Sequence, residues 1–133
     1  MEIQIQYYQE TNWPDLLQLM INEGPEWNDY TSETRQAAYQ TAVKESKTYL
    51  ATVDGKTVGF CRCRIDGIFG VYICDLLVDK QFRGQGIAQR LMEQPCLEYP
   101  EQTVYVMSDV DDFYEGKGYR REGSIFEVSI AKR

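Results

Sequence analysis

The feature that most constrains this fold lies past the middle of the chain. Val71-Tyr72-Ile73-Cys74-Asp75-Leu76-Leu77-Val78 is a nearly continuous apolar run, the pattern of a strand at a sheet centre. Gln81-Phe82-Arg83-Gly84-Gln85-Gly86-Ile87-Ala88 follows, and Ile87-Ala88-Gln89-Arg90-Leu91-Met92 continues as a helix. Glycines at a strand-to-helix turn let backbone N–H groups converge on an anion, and the helix dipole adds to the attraction. The turn is therefore a candidate phosphate cradle. An ordinary loop that opens a helix has the same outline.

Two well-known phosphate motifs do not fit. A P-loop needs Lys-Ser/Thr directly after its last glycine, and Gly86 is followed by Ile87-Ala88. The dinucleotide fingerprint needs a third glycine where Gln89 stands, and it belongs to the first strand of a βαβ unit. These gaps weaken the reading of a nucleotide-binding regulatory domain.

The rest of the chain is read around this unit. Residues 3–7 alternate as a first strand, and Trp13-Pro14 opens a helix with Leu16, Leu17, Leu19, Met20 and Ile21 on its apolar face. Gly24-Pro25 ends it. Thr31 or Ser32 is expected to cap a second, thinly apolar helix carrying Ala38, Tyr39, Ala42 and Val43. Strands over 47–53 and 56–65 flank Asp54-Gly55, a strong hairpin signal. Pro95 is expected to cut the helix after the glycine turn short. A strand over 103–107, a short helix over 111–115 and closing strands from Tyr119 onward and over 125–130 complete a mixed α/β order. With 133 residues and no linker or repeat, one domain over 1–133 is expected.

Composition narrows the function classes. The net charge is −7, from 14 basic and 21 acidic residues, which disfavours nucleic acid and anionic membrane and suits cationic molecules. No secretory leader pattern and no membrane-length apolar run is present, so a cytoplasmic location is expected. The absence of histidine excludes a Ser-His-Asp triad, a Cys-His pair and any His-ligated metal. Cys61, Cys63, Cys74 and Cys96 form no Cys-x-x-Cys pair and read as small buried residues. Asp109-Val110-Asp111-Asp112 lacks the glycine and oxygen ligand of a calcium loop, so no metal is expected.

The segment from Asp75 to Ala88 resembles the acetyl-CoA signature of the GNAT superfamily of N-acyltransferases. Phe113-Tyr114-Glu115-Gly116-Lys117-Gly118-Tyr119 is similar to that family's later tyrosine motif, in the same order along the chain. The resemblance runs from the Asp54-Gly55 hairpin to Tyr119. It implies a mixed, mainly antiparallel central sheet flanked by helices and splayed in the middle to admit acetyl-CoA. By position, the backbone groups of Leu76, Leu77 and Val78 would pair with the pantetheine arm. The amides of Phe82, Arg83, Gly84, Gln85, Gly86, Ile87 and Ala88 would hold the pyrophosphate. The Leu77 amide would face the thioester oxygen, a contact worth about 3–4 kcal/mol where its removal has been measured.

Transfer to an amine needs two proton movements. Tyr114, at the family's tyrosine position, would protonate the leaving thiolate: a phenol with a pKa of about 10 can donate to a thiolate whose acid has a pKa of about 8.5. An alkylamine with a pKa of about 10.4 must also shed a proton to react, and Asp75 is the first candidate to receive it. Asp109, Asp111 and Asp112 are further candidates, although the last two would equally stabilise a helix N-terminus. The family often has an asparagine where Ser108-Asp109 stands here.

The acceptor is sought in the loop Asn22-Glu23-Gly24-Pro25-Glu26-Trp27-Asn28-Asp29-Tyr30. Trp27 and Tyr30 among carboxylates suit an organic cation, and the same rings could simply fold onto the core. This stretch is loosely similar to aminoglycoside 6′-N-acetyltransferases. Aminoglycoside-like and polyamine-like amines, amino acids and protein N-termini or lysines therefore stand open as acceptors. The resemblance also allows a homodimer. A non-catalytic CoA-binding module is the rival reading, and Tyr114 would have no task in it.

Overall fold

The computed structural model describes residues 2–107 and 110–131. Five strands form one sheet in chain order: β1 (Gln4–Tyr7), β2 (Lys47–Val53), β3 (Lys56–Ile65), β4 (Val71–Val78) and β5 (Val104–Val106). The first four run antiparallel, and β5 lies parallel to β4. Five helices accompany them among the described residues: α1 (Trp13–Glu23), α2 (Asn28–Thr31), α3 (Gln36–Glu45), α4 (Ile87–Glu98) and α5 (Asp111–Glu115). This is the mixed, mainly antiparallel sheet flanked by helices that the sequence implied.

Strand alternation builds a core on each face of the sheet. Tyr49, Ala51, Cys61, Cys63, Val71 and Ile73 pack with Ile87, Leu91 and Met92 of α4. Leu50, Phe60 and Leu77 face the other way and meet Leu16, Leu19 and Met20 of α1 and Tyr39 and Val43 of α3. The β2–β3 turn has Asp54 at φ 51° and Gly55 at φ 80°, the paired left-handed residues of a type I′ hairpin. Cys61 and Cys63 share the α4 face with their sulfurs 3.7 Å apart, and both are fully buried, but against expectation Cys74 is half-buried and Cys96 exposed. The contact with Cys63, followed by burial, raises the Cys61 thiol.

Three further expectations are corrected. Helix α4 does not stop at Pro95 but runs through it to Glu98. Proline costs one internal hydrogen bond, and the helix resumes with Tyr99 N–H donating to the Pro95 carbonyl at 2.9 Å. Burial of Leu91, Met92 and Pro95 against the sheet offsets that loss. Neither Thr31 nor Ser32 caps α3: Thr31 ends α2 with its hydroxyl on the Trp27 carbonyl, and α3 begins at Gln36. Residues 119–131 form no strand in this structure, and Phe126, Val128 and Ile130 are 83%, 93% and 93% exposed. An apolar alternation becomes a strand only where an edge pairs with it and a layer covers it, and this segment meets neither.

Candidate functional site

The site is built by one irregularity in β4. Arg62 of β3 stands opposite Asp75, while the next residue, Cys63, stands opposite Ile73. Cys74 is the extra residue of a β-bulge, which bends the strand and swaps which side chains face which layer. Below the bulge, Val71–Ile73 pair with both β3 and β5. Above it, among the described residues, Asp75–Val78 pair with β3 alone, because β5 stops opposite Ile73. The sheet therefore opens along the upper half of β4.

Backbone direction decides which groups line that opening. Asp79 N–H donates to the Val58 carbonyl of β3 at 2.8 Å. A Cβ built on Gly59 would meet the Leu77 carbonyl oxygen at 3.0 Å. Residues 77 and 79 thus turn their polar groups to β3, and alternation leaves those of Leu76 and Val78 on the open side. The Val78 carbonyl there accepts Arg83 Nε at 3.0 Å. The Leu77 amide, expected to meet the thioester oxygen, is turned to β3, and the Leu76 amide lies on the open side.

The turn after β4 leads the chain from this edge into α4. Asp79 ties it at its start, accepting Gln81 N–H on Oδ1 at 2.9 Å and Phe82 N–H on its carbonyl. Gly84 and Gly86 have φ of 80° and 79°, a region costly for other residues. A Cβ at either would meet nothing within 4 Å, so glycine serves conformation here and the space in front of the loop is open. The Arg90 N–H bonds the Gly86 carbonyl, which leaves the amides of the first turn of α4, including Ile87 and Ala88, without carbonyls of the helix behind them. Open space before the first-turn amides of a helix fits a pyrophosphate. The Arg83 side chain is directed elsewhere: its Nη2 lies 2.7 Å from Glu23 Oε1, tying the turn to the end of α1.

Asp75 sits just above the bulge, 8% exposed. Its Oδ2 accepts Tyr39 Oη–H and Arg62 Nε–H, each at 2.7 Å, and Arg62 Nη1 donates to Ser46 Oγ at 3.1 Å. Tyr39 stacks on Tyr30 with ring centroids 4.2 Å apart, and Trp27 lies 5.6 Å from Tyr30 and 5.9 Å from Phe60. Trp27 and Tyr30 are half-buried, so the rings expected to meet the acceptor also rest on the core. Burial, then the nearby Asp75 carboxylate, raises the Tyr30 phenol above its ordinary range.

Tyr114 is placed by α5 and is half-buried against the α4-face core, with Phe113 edge-on at 5.0 Å and Tyr119 stacked at 6.5 Å. Its carbonyl accepts Lys117 and Tyr119 N–H, which folds the Gly116-Lys117-Gly118 turn back on the helix. Leu76, Phe82 and Ala88 border the same core. Leu77, Trp27 and Tyr30 belong to the core of the opposite face. The open half of β4 thus gathers residues from both faces of the sheet. Asp109 lies outside the described residues.

Sequence reasoning missed Tyr39 and Arg62 as parts of this site, and it missed that Glu23 of the acceptor loop pairs with Arg83. Arg62 carried a signal: a lone charge between buried cysteines in β3 asks for a partner, and Asp75 is the lone charge of β4. Among the described residues no cluster of three or more His, Cys, Asp or Glu is placed to hold a metal ion.

These features agree with what is known of related chains. The family described as "Acetyltransferase (GNAT) domain" matches residues 14–130, and the chain belongs to that family. The family is one of acetyl-CoA-dependent N-acyltransferases. A curated relative, GCN5-related N-acetyltransferase 2, chloroplastic, of Arabidopsis thaliana, is 29% identical in a 72-residue alignment that covers 50% of this chain and 28% of that protein. The chain therefore spans less than a third of that relative. The fold is shared with AAC(6')-Iy in complex with the bisubstrate analogue CoA-S-monomethyl-acetylneamine, at TM-score 0.75 and 15% identity over 98% of this chain and 100% of that one. It is shared equally with ribosomal-protein-alanine N-acetyltransferase of Brucella melitensis biovar Abortus 2308, at TM-score 0.74 and 14% identity over 98% and 100%.

Proposed function

We propose that this protein transfers the acetyl group of acetyl-CoA to a primary amine of a small cationic acceptor, by direct attack in a ternary complex. The observation that carries the reading is the half-open β4, bent at Cys74 and running straight into the Gly84–Gly86 turn. When bound, acetyl-CoA supplies a thioester whose carbonyl carbon takes the amine nitrogen as its C–S bond breaks. The backbone groups of Leu76 and Val78 hold the pantetheine arm, and the amides from Phe82 to Ala88 hold the pyrophosphate. Leu76 N–H stabilises the thioester oxygen as it gains charge. Tyr114 gives its phenolic proton to the departing thiolate, and Asp75 receives the amine proton through water. An Asp75→Asn variant is expected to lower kcat roughly a hundredfold with acetyl-CoA affinity kept; an unchanged rate removes Asp75 from that role.

The acceptor is assigned by chemistry. Trp27 and Tyr30 offer ring faces on a loop that also carries Glu26 and Asp29, and a chain of net charge −7 attracts cations. This supports aminoglycoside-like or polyamine-like amines. The near-equal likeness to a structure with an aminoglycoside-derived analogue and to a protein N-terminal transferase does not choose between acceptor classes. An acetyl-CoA-dependent screen over aminoglycosides, polyamines, amino acids and N-terminal peptides, read by product mass, tests the reading. A gain of one acetyl group on a polyamine or aminoglycoside is expected. Acetylation of peptides alone overturns the acceptor assignment, and acetyl-CoA binding without product favours a CoA-binding module.

A further inference from the structure

We propose that Tyr39 is a positioning residue with two separable tasks: its hydroxyl sets the Asp75 carboxylate, and its ring sets the acceptor-facing pair Trp27 and Tyr30. This rests on the acetyl-transfer reading above. The bulge creates the arrangement. With Cys74 as the extra residue, Asp75 rather than Cys74 stands opposite Arg62, so two opposite charges of neighbouring strands meet in the interior. Arg62 is itself held by Ser46 and is 13% exposed, which makes it a fixed counter-charge for Asp75 rather than a mobile surface arginine.

Tyr39 joins this pair to the aromatic loop by both its hydroxyl and its ring, beside Tyr30, whose phenol also feels the Asp75 carboxylate. Tyr39 rises from α3, is 5% exposed, and donates to Asp75 Oδ2 at 2.7 Å. The face of the same ring carries Tyr30 at 4.2 Å with planes 25° apart, and the Arg62 guanidinium lies 5.4 Å from the ring centre. Burial first, then the Asp75 carboxylate, raises the Tyr39 phenol well above its ordinary range, so it remains a donor. A residue that only filled the core would need the ring and not the hydroxyl. A residue that only satisfied Asp75 would not need to stack on the loop.

The two tasks separate in steady-state kinetics and in tryptophan quenching. Trp13 is buried and Trp27 is half-exposed, so acrylamide reads mainly Trp27. Tyr39→Phe is expected to lower kcat about tenfold while leaving the acceptor KM and Trp27 quenching near the parent values, because one hydrogen bond to a charged group is lost and the stack is kept. Tyr39→Leu is expected to lower kcat likewise, to raise the acceptor KM about fivefold and to increase Trp27 quenching. Acetyl-CoA affinity stays at the parent value in both. If Tyr39→Leu does not fold, Tyr30→Leu removes the stack from its other side and is expected to give the KM rise and the added quenching. The proposal is overturned if Tyr39→Phe matches the parent, if the two Tyr39 variants behave alike, or if either changes acetyl-CoA affinity. Should the parent acetylate no amine, the acetyl-transfer reading fails separately; unchanged Trp27 quenching in Tyr39→Leu or Tyr30→Leu then overturns the loop-positioning task on its own.

Discussion

The lower and upper halves of β4 differ by one neighbour. Val71–Ile73 are flanked by β3 and β5, and their side chains face either the α4 core or the solvent. Asp75–Val78 have β3 alone, and their second row of backbone groups faces the opening. Asp75 apart, both halves are mainly apolar, so the remaining side chains do not tell them apart. What separates them is where their N–H and C=O groups go. The lower half spends them all on the sheet, and the upper half keeps one row available to a bound chain.

Proline scanning attacks that difference most directly. Leu77→Pro removes an N–H that belongs to the β3 ladder and is expected to cost about 3 kcal/mol or more, read as loss of a cooperative melting transition. Leu76→Pro removes an N–H on the open side. Its melting is expected to stay close to that of Leu76→Ala, which retains the amide, while kcat falls roughly a hundredfold to a thousandfold. If Leu76→Pro melts as Leu77→Pro does, the assignment of sides is wrong. In the lower half, Ile73→Ala is expected to cost about 3 kcal/mol of stability in denaturant titration, with acetyl-CoA affinity unchanged. A drop in that affinity would mean that the two halves are not separate in function.

A gentler test leaves the backbone alone. Tyr114→Phe is expected to slow turnover at least about tenfold while acetyl-CoA binding by calorimetry is kept, and an unchanged rate removes Tyr114 from proton transfer. The smallest effect concerns alkaline pH. Tyr39 is raised by burial and by Asp75, so it stays protonated in the folded chain while the unfolded phenol ionises near about pH 10. Its contribution is complete below that pH and is lost above it, by about 1.4 kcal/mol per pH unit. Tyr39→Phe should therefore show a shallower alkaline decline in stability than the parent. Parallel curves would place Tyr39 in a wetter setting than the structure gives it.

Legibility in the sequence followed locality. The limits of the β2–β3 hairpin strands were readable to the residue because Asp54-Gly55 dictates its own turn, but the register slip at Val58 was not. The strand–turn–helix unit was readable because glycine with left-handed φ leaves few alternatives. The course of α4 through Pro95 was not, since it depends on how deeply Leu91, Met92 and Pro95 are buried by the sheet. The pattern over 125–130 has the alternation of a strand and lacks the edge that would make it one. In the site, Asp75 and the glycines could be named in advance, but the partners of Asp75 could not. Tyr39 lies 36 residues away, and Arg62 becomes its neighbour only because of a bulge that no local motif announces.

That bulge carries a lesson for anyone who would move this site to another scaffold. The number of residues between Ile73 and Val78 matters more than most of their identities. Removing Leu76, for example, would move Leu77 and Val78 to the opposite layers and turn the receptive groups of Val78 inward, whereas losing Cys74 itself would only restore a regular ladder. Substitutions along this stretch are spelling changes; a deletion beyond the bulge shifts the reading frame of the strand.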